Sequence, residues 1–354
     1  MLERLDAAGA LDIGALHLAE FALSPTGYNG HLGHARNPWS LDHCPGGSSS
    51  GSAAVVSARL VPAALGSDTG GSIRHPAAMC GVTGLKPTHG LVPLHGTVPL
   101  APSLDCVGPL ARSARDVARM MTVIAGFDPR DGATAGAPAH DYEAGLNRDL
   151  KGLTIAVPRA YYRDDGDTAV LAALEESLAA FRDAGAKVIE TTVPDMATVN
   201  ALFHVLMTVE AATYHRRWLE SRPGDYADQV RGRIEPGLLY PATRYAEALM
   251  LRRTMAREWL AAAMGDADIV HLPVLRQRVP SIAETTEGDA ASVAAAIGRV
   301  THCTRGISYL GLPVLAAPCG FADGLPVAFQ LVGRPFAEPL LLRAGHAFQS
   351  RTTW

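Results

Sequence analysis

The sequence predicts an α/β fold in which a mixed β-sheet is sandwiched between α-helices. The first observation is a strand, helix, strand rhythm, with apolar strands expected at residues 151–158 and 187–193 and an amphipathic helix at 167–185 between them. The second is a pair of further apolar runs at 269–274 and 314–321. With 354 residues, 48% of them hydrophobic and 19% charged, the chain is able to bury a large core.

The helix expected at 167–185 carries start and stop signals. Asp167 is a residue type that caps helix N-termini, and Gly185 is a type that ends helices. One face of this helix carries four apolar side chains, those of Leu171, Leu174, Leu178 and Phe181. The stretch 194–264 is also predicted to be mainly helical, and no linker divides the chain into independent domains.

Composition argues against several classes of protein. A formal net charge of −4 without a basic tract disfavours nucleic-acid binding, which relies on clustered Lys and Arg. The cysteines show no disulfide framework, and their odd number suits reduced thiols in a cytoplasm; they are Cys44, Cys80, Cys106, Cys303 and Cys319. No secretory leader opens the chain and no apolar run of 18 residues occurs, so neither secretion nor membrane spanning is expected.

A glycine-rich loop at 66–76 contains the serine best suited to nucleophilic catalysis, Ser72. Glycine lets the backbone turn its N–H groups inward, so four successive N–H groups could converge on one point, those of Thr69, Gly70, Gly71 and Ser72. Such a point suits the oxyanion of a tetrahedral intermediate formed by attack of Ser72 on a carbonyl. The alternative is an ordinary Gly-Gly turn followed by a helix that Ser72 caps. A phosphate-binding P-loop is disfavoured because no lysine follows the last glycine.

An earlier Gly/Ser-rich loop at 44–52 contains Ser48, which lies 24 residues before Ser72. Its Gly-Ser-Ser-Ser-Gly run formally matches the nucleophile elbow of α/β-hydrolases. That elbow needs a hydrophobic strand running directly into it, whereas the approach here is turn-rich and broken by Pro45. A flexible linker is the other simple interpretation. The small apolar residues at 53–64 follow at once and indicate a buried helix instead.

The two loops together resemble the core of the amidase signature family. The resemblance covers GGSSSGSAAVVSARLVPAALGSDTGGSIRHPAAMCGVTGLKPTHG, residues 46–90, almost position for position. It continues upstream within 11–39 and downstream at 103–109 and 311–331, and it is weak between about 194 and 300.

The resemblance implies an amidase signature fold. We expect a single domain over 1–354, with its core at 11–158 and 265–350 and a variable, mainly helical segment at about 194–264. In the family such a segment tends to shape the substrate pocket.

The resemblance also implies roles for individual residues. Ser72 becomes the nucleophile, and Ser48 becomes the bridging serine, usually on a cis non-proline bond, whose hydroxyl relays the proton between nucleophile and base. The oxyanion hole becomes the backbone of Thr69, Gly70, Gly71 and Ser72. Asp68 and Arg74 are expected to form an ion pair that braces the loop, with a contact between Arg74 and a substrate carboxylate as the alternative.

Neither a cofactor nor a metal ion is expected. Four histidines cluster near the loops in the sequence, namely His31, His34, His43 and His75. Their spacing matches no compact zinc pattern.

The general base of the family is missing from this sequence. The family has a Ser-Ser-Lys triad whose lysine lies upstream of the first serine loop. The lysines here, Lys86, Lys151 and Lys187, all follow Ser72. Lys86 lies in a segment that the family uses structurally, so we do not assign it as the base. Such a base contributes roughly 10²- to 10⁴-fold, so turnover without it should nearly vanish.

The start of the chain is expected to be incomplete. Residues 1–10 are predicted to be the second half of an amphipathic helix, ended by Gly9, that leads into a strand from Leu11 to Leu16. We therefore interpret the chain as an N-terminally truncated amidase signature domain. Either the reading frame was started at an internal methionine, which we favour, or the gene is genuinely truncated. A chain that enters mid-fold would expose apolar surface and strand edges.

The function implied is that of a cytoplasmic amidohydrolase. It would convert a carboxamide to a carboxylate and ammonia through an acyl-Ser72 intermediate, with a small-molecule amide as its partner, no nucleic acid, no membrane, and a homodimer as an open option. One alternative is the glutaminase (A-type) subunit of a tRNA-dependent amidotransferase, which would need partner subunits to use the ammonia. The other is a catalytically dead, truncated pseudoenzyme.

Overall fold

Side chains that alternate in direction along the strands give the central sheet two apolar faces. In the strand Val314–Ala322, Val314 and Ala316 pack into the core on one face, whereas Leu315 and Ala317 pack on the other. This is the period of two expected of a strand that is buried on both faces.

The computed structural model describes residues 1–353. The strands in this range are β1 (Tyr28–Asn29), β2 (Gly33–His34), β3 (Ala63–Asp68), β4 (Thr83–Lys86), β5 (Cys106–Ala111), β6 (Thr154–Pro158), β7 (Lys187–Thr191), β8 (Ile269–Pro273), β9 (Val314–Ala322) and β10 (Leu325–Val332). β1 and β2 form a small antiparallel pair of their own. The remaining strands form one eight-stranded sheet in the spatial order β3-β5-β4-β9-β10-β8-β6-β7. β6 pairs in parallel with β7 and β8, and the other pairs in this sheet are antiparallel, so the sheet is mixed.

Helices cover both faces of the sheet. They are α1 (Leu2–Ala7), α2 (Ser50–Ser57), α3 (Arg74–Cys80), α4 (Ala114–Ile124), α5 (Thr168–Asp183), α6 (Met196–Ser221), α7 (Asp228–Ile234), α8 (Ala242–Trp259), α9 (Ile282–Thr286), α10 (Ala290–Thr301), α11 (Arg305–Leu310) and α12 (Glu338–Gln349). α4, α5 and α12 cover one face. The other face is covered by α2 and α3 toward β3 and by α6, α8 and α11 toward β8. The predicted α/β class, with a mixed sheet between helices, is confirmed.

The eight-stranded sheet draws strands from both stretches that were predicted to form the core. β3, β4, β5 and β6 come from the stretch 11–158, and β8, β9 and β10 come from 265–350. The two stretches therefore share one sheet, although the assignment of 1–354 to a single domain stays a prediction. The segment 194–264 is mainly helical, as expected, because it contains α6, α7 and α8.

The helix α6 is long and apolar enough to cross a membrane by length and composition alone. It has 26 residues, and its most apolar window reaches a mean hydropathy of 1.2. Half of that window is buried inside the fold. Its apolar residues therefore pack as those of a core helix.

The N-terminal segment differs from the prediction. α1 forms and is followed by Gly9 at a φ of +83°, as expected of a helix stop. The guanidinium of Arg4 fixes α1 by donating hydrogen bonds to the carbonyls at the end of α4. The predicted strand from Leu11 to Leu16 is wrong, because this segment pairs with no strand within residues 1–353. Leu11 is 88% exposed and Ile13 is 76% exposed.

Candidate active site

A cavity of about 740 Å³ lies beside the loop that joins β3 to α3. Most of its wall comes from four parts of the chain: the loop with the start of α3, the segment 22–25, one face of α6, and α10 with the residues that follow it. Leu100, Tyr161 and Arg233 complete the wall. Ser72 lies on this wall and is 8% exposed. The serine predicted as nucleophile therefore faces a cavity large enough for a small substrate.

The carboxylate of Asp68 fixes the shape of the loop around Ser72. Its Oδ1 accepts a hydrogen bond from the backbone N–H of Gly71 at 2.7 Å, and its Oδ2 accepts one from the N–H of Ile73 at 3.2 Å. These bonds hold the backbone on both sides of Ser72. The loop is thus tied to the end of β3, where Asp68 is the last residue.

The two serine loops are in direct contact. The backbone N–H of Ser49 donates to the carbonyl of Ser72 at 3.3 Å, and the Oγ of Ser49 bonds to the backbone of Ser67. The peptide bond between Gly47 and Ser48 is cis. Ser48 is fully buried, and its Oγ has no hydrogen-bond partner within the described part of the chain. The structure therefore brings Ser48 next to the residues that carry Ser72 and leaves its hydroxyl without a structural partner.

The four residues predicted for the oxyanion hole do not all face the cavity. Thr69, Gly70 and Ser72 line it, whereas Gly71 does not. The N–H of Gly71 is already bonded to Asp68. A Cβ at position 71 would lie 2.3 Å from the imidazole of His75, and the residue has a φ of +134°, so glycine is required here.

His75 supports this loop from the side. Its Nε2 lies 2.7 Å from Oγ1 of Thr304, and that hydroxyl donates to the carbonyl of Gly70 at 2.8 Å. The Thr304 hydroxyl therefore links the imidazole of His75 to the backbone of Gly70. Burial, together with the nearby charge of Arg74, lowers the pKa of His75 to about 4. A neutral imidazole here holds Gly70 in place through the Thr304 hydroxyl.

The lysines lie away from the cavity. Lys86 is buried in β4, where its Nζ donates to the carbonyl of Pro87 at 2.9 Å and contacts Sγ of Cys106 at 3.6 Å. Lys151 and Lys187 are exposed. No lysine is among the described residues that line the cavity. The structural role expected for Lys86 agrees with these contacts.

The far wall of the cavity contains residues that sequence reasoning missed. They are Tyr161, Asn200, His204, Arg233, His302 and Arg305. One signal was present in the sequence: Asn200 and His204 interrupt an apolar helix at a spacing of four residues, so both lie on one face. The two arginines carry no comparable signal, because their positions follow from packing between distant helices.

Comparison with known proteins gives one family. The family model described as Amidase matches residues 1–342. A curated relative from Roseiflexus castenholzii, named as the A-type subunit of glutamyl-tRNA(Gln) amidotransferase, is 39% identical over 99% of this chain and 75% of its own length.

Solved structures give the same result. The crystal structure of the corresponding A-type glutamyl-tRNA(Gln) amidotransferase subunit of Thermotoga maritima has a TM-score of 0.87 and 33% identity. A structure described as a vestigial protein complex that reveals the origins of an s-triazine catabolic enzyme has a TM-score of 0.89 and 35% identity. In both, the match covers 99% of this chain and 76% of the other.

Proposed function

The chain belongs to the amidase family, and from that premise we propose that it is the glutaminase (A-type) subunit of a tRNA-dependent amidotransferase. The observation that carries the proposal is that curated relatives matching nearly the whole chain bear the name of the A-type subunit of glutamyl-tRNA(Gln) amidotransferase. The reaction assigned to this chain is release of ammonia from the carboxamide of glutamine.

Two expectations from the sequence are corrected by these relatives. The stand-alone amidohydrolase was the wrong choice between the alternatives, because the relatives are named as amidotransferase subunits. The expectation of a small-molecule partner alone, with a homodimer as the open option, was also wrong. The relatives are subunits of a larger enzyme, and one solved neighbour is described as a protein complex.

The chemistry that we assign starts at Ser72. Its Oγ attacks the carboxamide carbon, and the N–H groups of Thr69, Gly70 and Ser72 stabilise the oxyanion. Ser48 relays the proton of Ser72, which reaches the leaving nitrogen as ammonia departs. Water then hydrolyses the acyl-Ser72 ester to release glutamate. Support comes from the contact between the two loops and the unpartnered Ser48 hydroxyl.

The net charge and the cysteines bear on which step of the reaction we assign to this chain and on its cellular location. The net charge of −4 gives this chain no basic surface excess for tRNA, so we assign it the ammonia-producing step only. All five cysteines are free and buried, which supports a cytoplasmic location.

The test is purification of the tagged chain from its native cells, followed by identification of co-purifying proteins and assay of ammonia release from glutamine. We expect a co-purifying partner subunit, and glutamine-dependent ammonia where the native protein supplies the base lysine that is missing from these 354 residues. Ser72→Ala should abolish the release, whereas Ser221→Ala, at an exposed serine ending α6, should not. Purification of the chain alone, with no ammonia formed, would overturn the proposal and favour the pseudoenzyme.

A further inference from the structure

Two arginines without a carboxylate partner face the cavity. Arg233 donates one hydrogen bond, from Nη1 to the carbonyl of Leu23 at 3.2 Å. The Nε of Arg305 is buried and has no hydrogen-bond partner among residues 1–353. Neither arginine takes part in an ion pair in that range, and both line the cavity that contains Ser72.

The helices that carry the two arginines, α7 and α11, both pack against α6. The pKa of His204 is lowered by its partial burial and then by the positive charges of Arg305 and Arg233. His204 is one helical turn beyond Asn200 on the cavity face of α6. His204 and the two arginines therefore line the same cavity.

Acidic side chains are missing from the same wall. Of the described residues that line the cavity, none is Asp or Glu. A partly desolvated guanidinium without a counter-ion favours an anion, and its planar fork suits a carboxylate. A ligand ammonium in the same space would meet like charges and no carboxylate to oppose them.

We propose that Arg305, together with Arg233, selects amides that carry a carboxylate, and that this cavity offers an ammonium group no carboxylate to pair with. The inference rests on the proposed function only in that the amide reacts at Ser72 in the same cavity. It makes Arg305 a specificity-determining residue. The site would then bind the carboxylate of a glutamine-like substrate and form no ion pair with its amino group.

Four amides distinguish the effect of a substrate carboxylate from that of a substrate ammonium group. Glutamine carries both a carboxylate and an ammonium, glutaramate carries only the carboxylate, 4-aminobutanamide carries only the ammonium, and butyramide carries neither. Binding of each to the purified full chain with Ser72→Ala would be measured by isothermal titration calorimetry. Glutaramate should bind at least as tightly as glutamine and about tenfold or more tighter than butyramide, as expected for hydrogen bonds to a charged group.

Substitutions of single arginines test which residue binds the carboxylate. Arg305→Gln should weaken glutaramate binding about tenfold and leave butyramide binding unchanged, and Arg305→Lys should lose less. Arg299→Gln is the matched control, because Arg299 is an exposed arginine of α10 that does not line the cavity. Thermal unfolding of each variant would show that it is folded.

Three outcomes would overturn the inference: glutamine binding tenfold more tightly than glutaramate, equal binding of glutaramate and butyramide, or no effect of Arg305→Gln that Arg299→Gln lacks. The co-purification and ammonia assays test the proposed function separately from these binding measurements. If no partner and no ammonia from glutamine are found while glutaramate binding depends on Arg305, the amidotransferase role falls and the carboxylate site stands.

Discussion

Asp68 and Arg74 form a buried, two-pronged ion pair across the loop that carries Ser72. Oδ2 of Asp68 lies 3.0 Å from Nε of Arg74, and Oδ1 lies 3.0 Å from Nη2. Both side chains are 0% exposed. Arg74 does not line the cavity, so it braces the loop and does not meet a substrate carboxylate. Burial by itself would raise the pKa of Asp68, and the charge and hydrogen bonds of Arg74 hold that pKa below its usual value.

Removal of Arg74 should strongly destabilise the protein. Arg74→Met would leave the carboxylate of Asp68 buried without a counter-ion, which costs about 3–5 kcal/mol in comparable pairs. Urea unfolding at pH 7 measures the loss. The double variant Asp68→Asn/Arg74→Met should lose less than the sum of the two single variants, because no lone buried charge remains. Additive losses would show that the two side chains act independently.

A side chain at position 71 should disrupt the site. Gly71→Ala places a Cβ 2.3 Å from His75 and 2.7 Å from Oγ1 of Thr304, at a φ of +134°. We expect a loss of about 1–3 kcal/mol and loss of amide binding. Gly232→Ala in α7 is the matched control, since nothing lies within 4 Å of its added Cβ. That control should gain up to about 1 kcal/mol from helix propensity. Equal effects of the two changes on amide binding would contradict the role assigned to Gly71.

Asp105 should make the unfolding free energy depend on pH. It lies beneath the loop, where its Oδ1 accepts from the Thr69 hydroxyl at 2.5 Å and its Oδ2 accepts from the N–H groups of Leu100 and Ala101. Burial raises its pKa to about 6. Because the folded-state pKa exceeds the unfolded value of about 3.9, the contribution to stability is full below about pH 4 and is lost as the pH rises through 6.

The variant Asp105→Asn tests this dependence, because an amide mimics the neutral acid without ionising. The unfolding free energy of the native protein, relative to this variant, should fall by about 2 kcal/mol between pH 4 and pH 7. Urea unfolding of both proteins across this range gives the difference. A difference that stays constant with pH would show that Asp105 does not titrate in this window.

Lys86 should act through stability and not through binding. Lys86→Met leaves the buried carbonyl of Pro87 without its donor, which costs about 1–3 kcal/mol. Amide affinity, measured by calorimetry in the Ser72→Ala background, should stay within about twofold of the parent. A selective loss of affinity in a protein of unchanged unfolding free energy would make Lys86 a site residue after all.

Local patterns were predictable from the sequence where neighbouring residues decide the structure. Asp167 caps α5 by accepting from the N–H groups of Ala169 and Val170, and β6 and β7 flank that helix as the apolar pattern indicated. The prediction of a strand at 11–16 was wrong because a strand also needs a neighbouring strand to pair with, and a local sequence pattern does not show whether one is present.

The candidate site was predictable only in part for the same reason. Ser72 and Ser48 lie in glycine-rich loops that can be recognised from their composition alone. Arg233 and Arg305 lie in separate helices, and only the packing of those helices against α6 brings the two side chains to one cavity. No short stretch of the sequence predicts that these two side chains line the same cavity.

The bonds around Thr304 have a consequence for how the protein is made. The carbonyl of Thr304 accepts from Nη1 of Arg74, its hydroxyl supports Gly70, and Gln330 accepts a further bond from the same guanidinium. Thr304 and Gln330 follow Arg74 by 230 and 256 residues. On the ribosome, the loop that carries Ser72 is therefore translated long before the residues that hold it in shape. A nascent chain that ends before β10 carries both serines but lacks Gln330, one of the residues that hold Arg74 in place beside the loop.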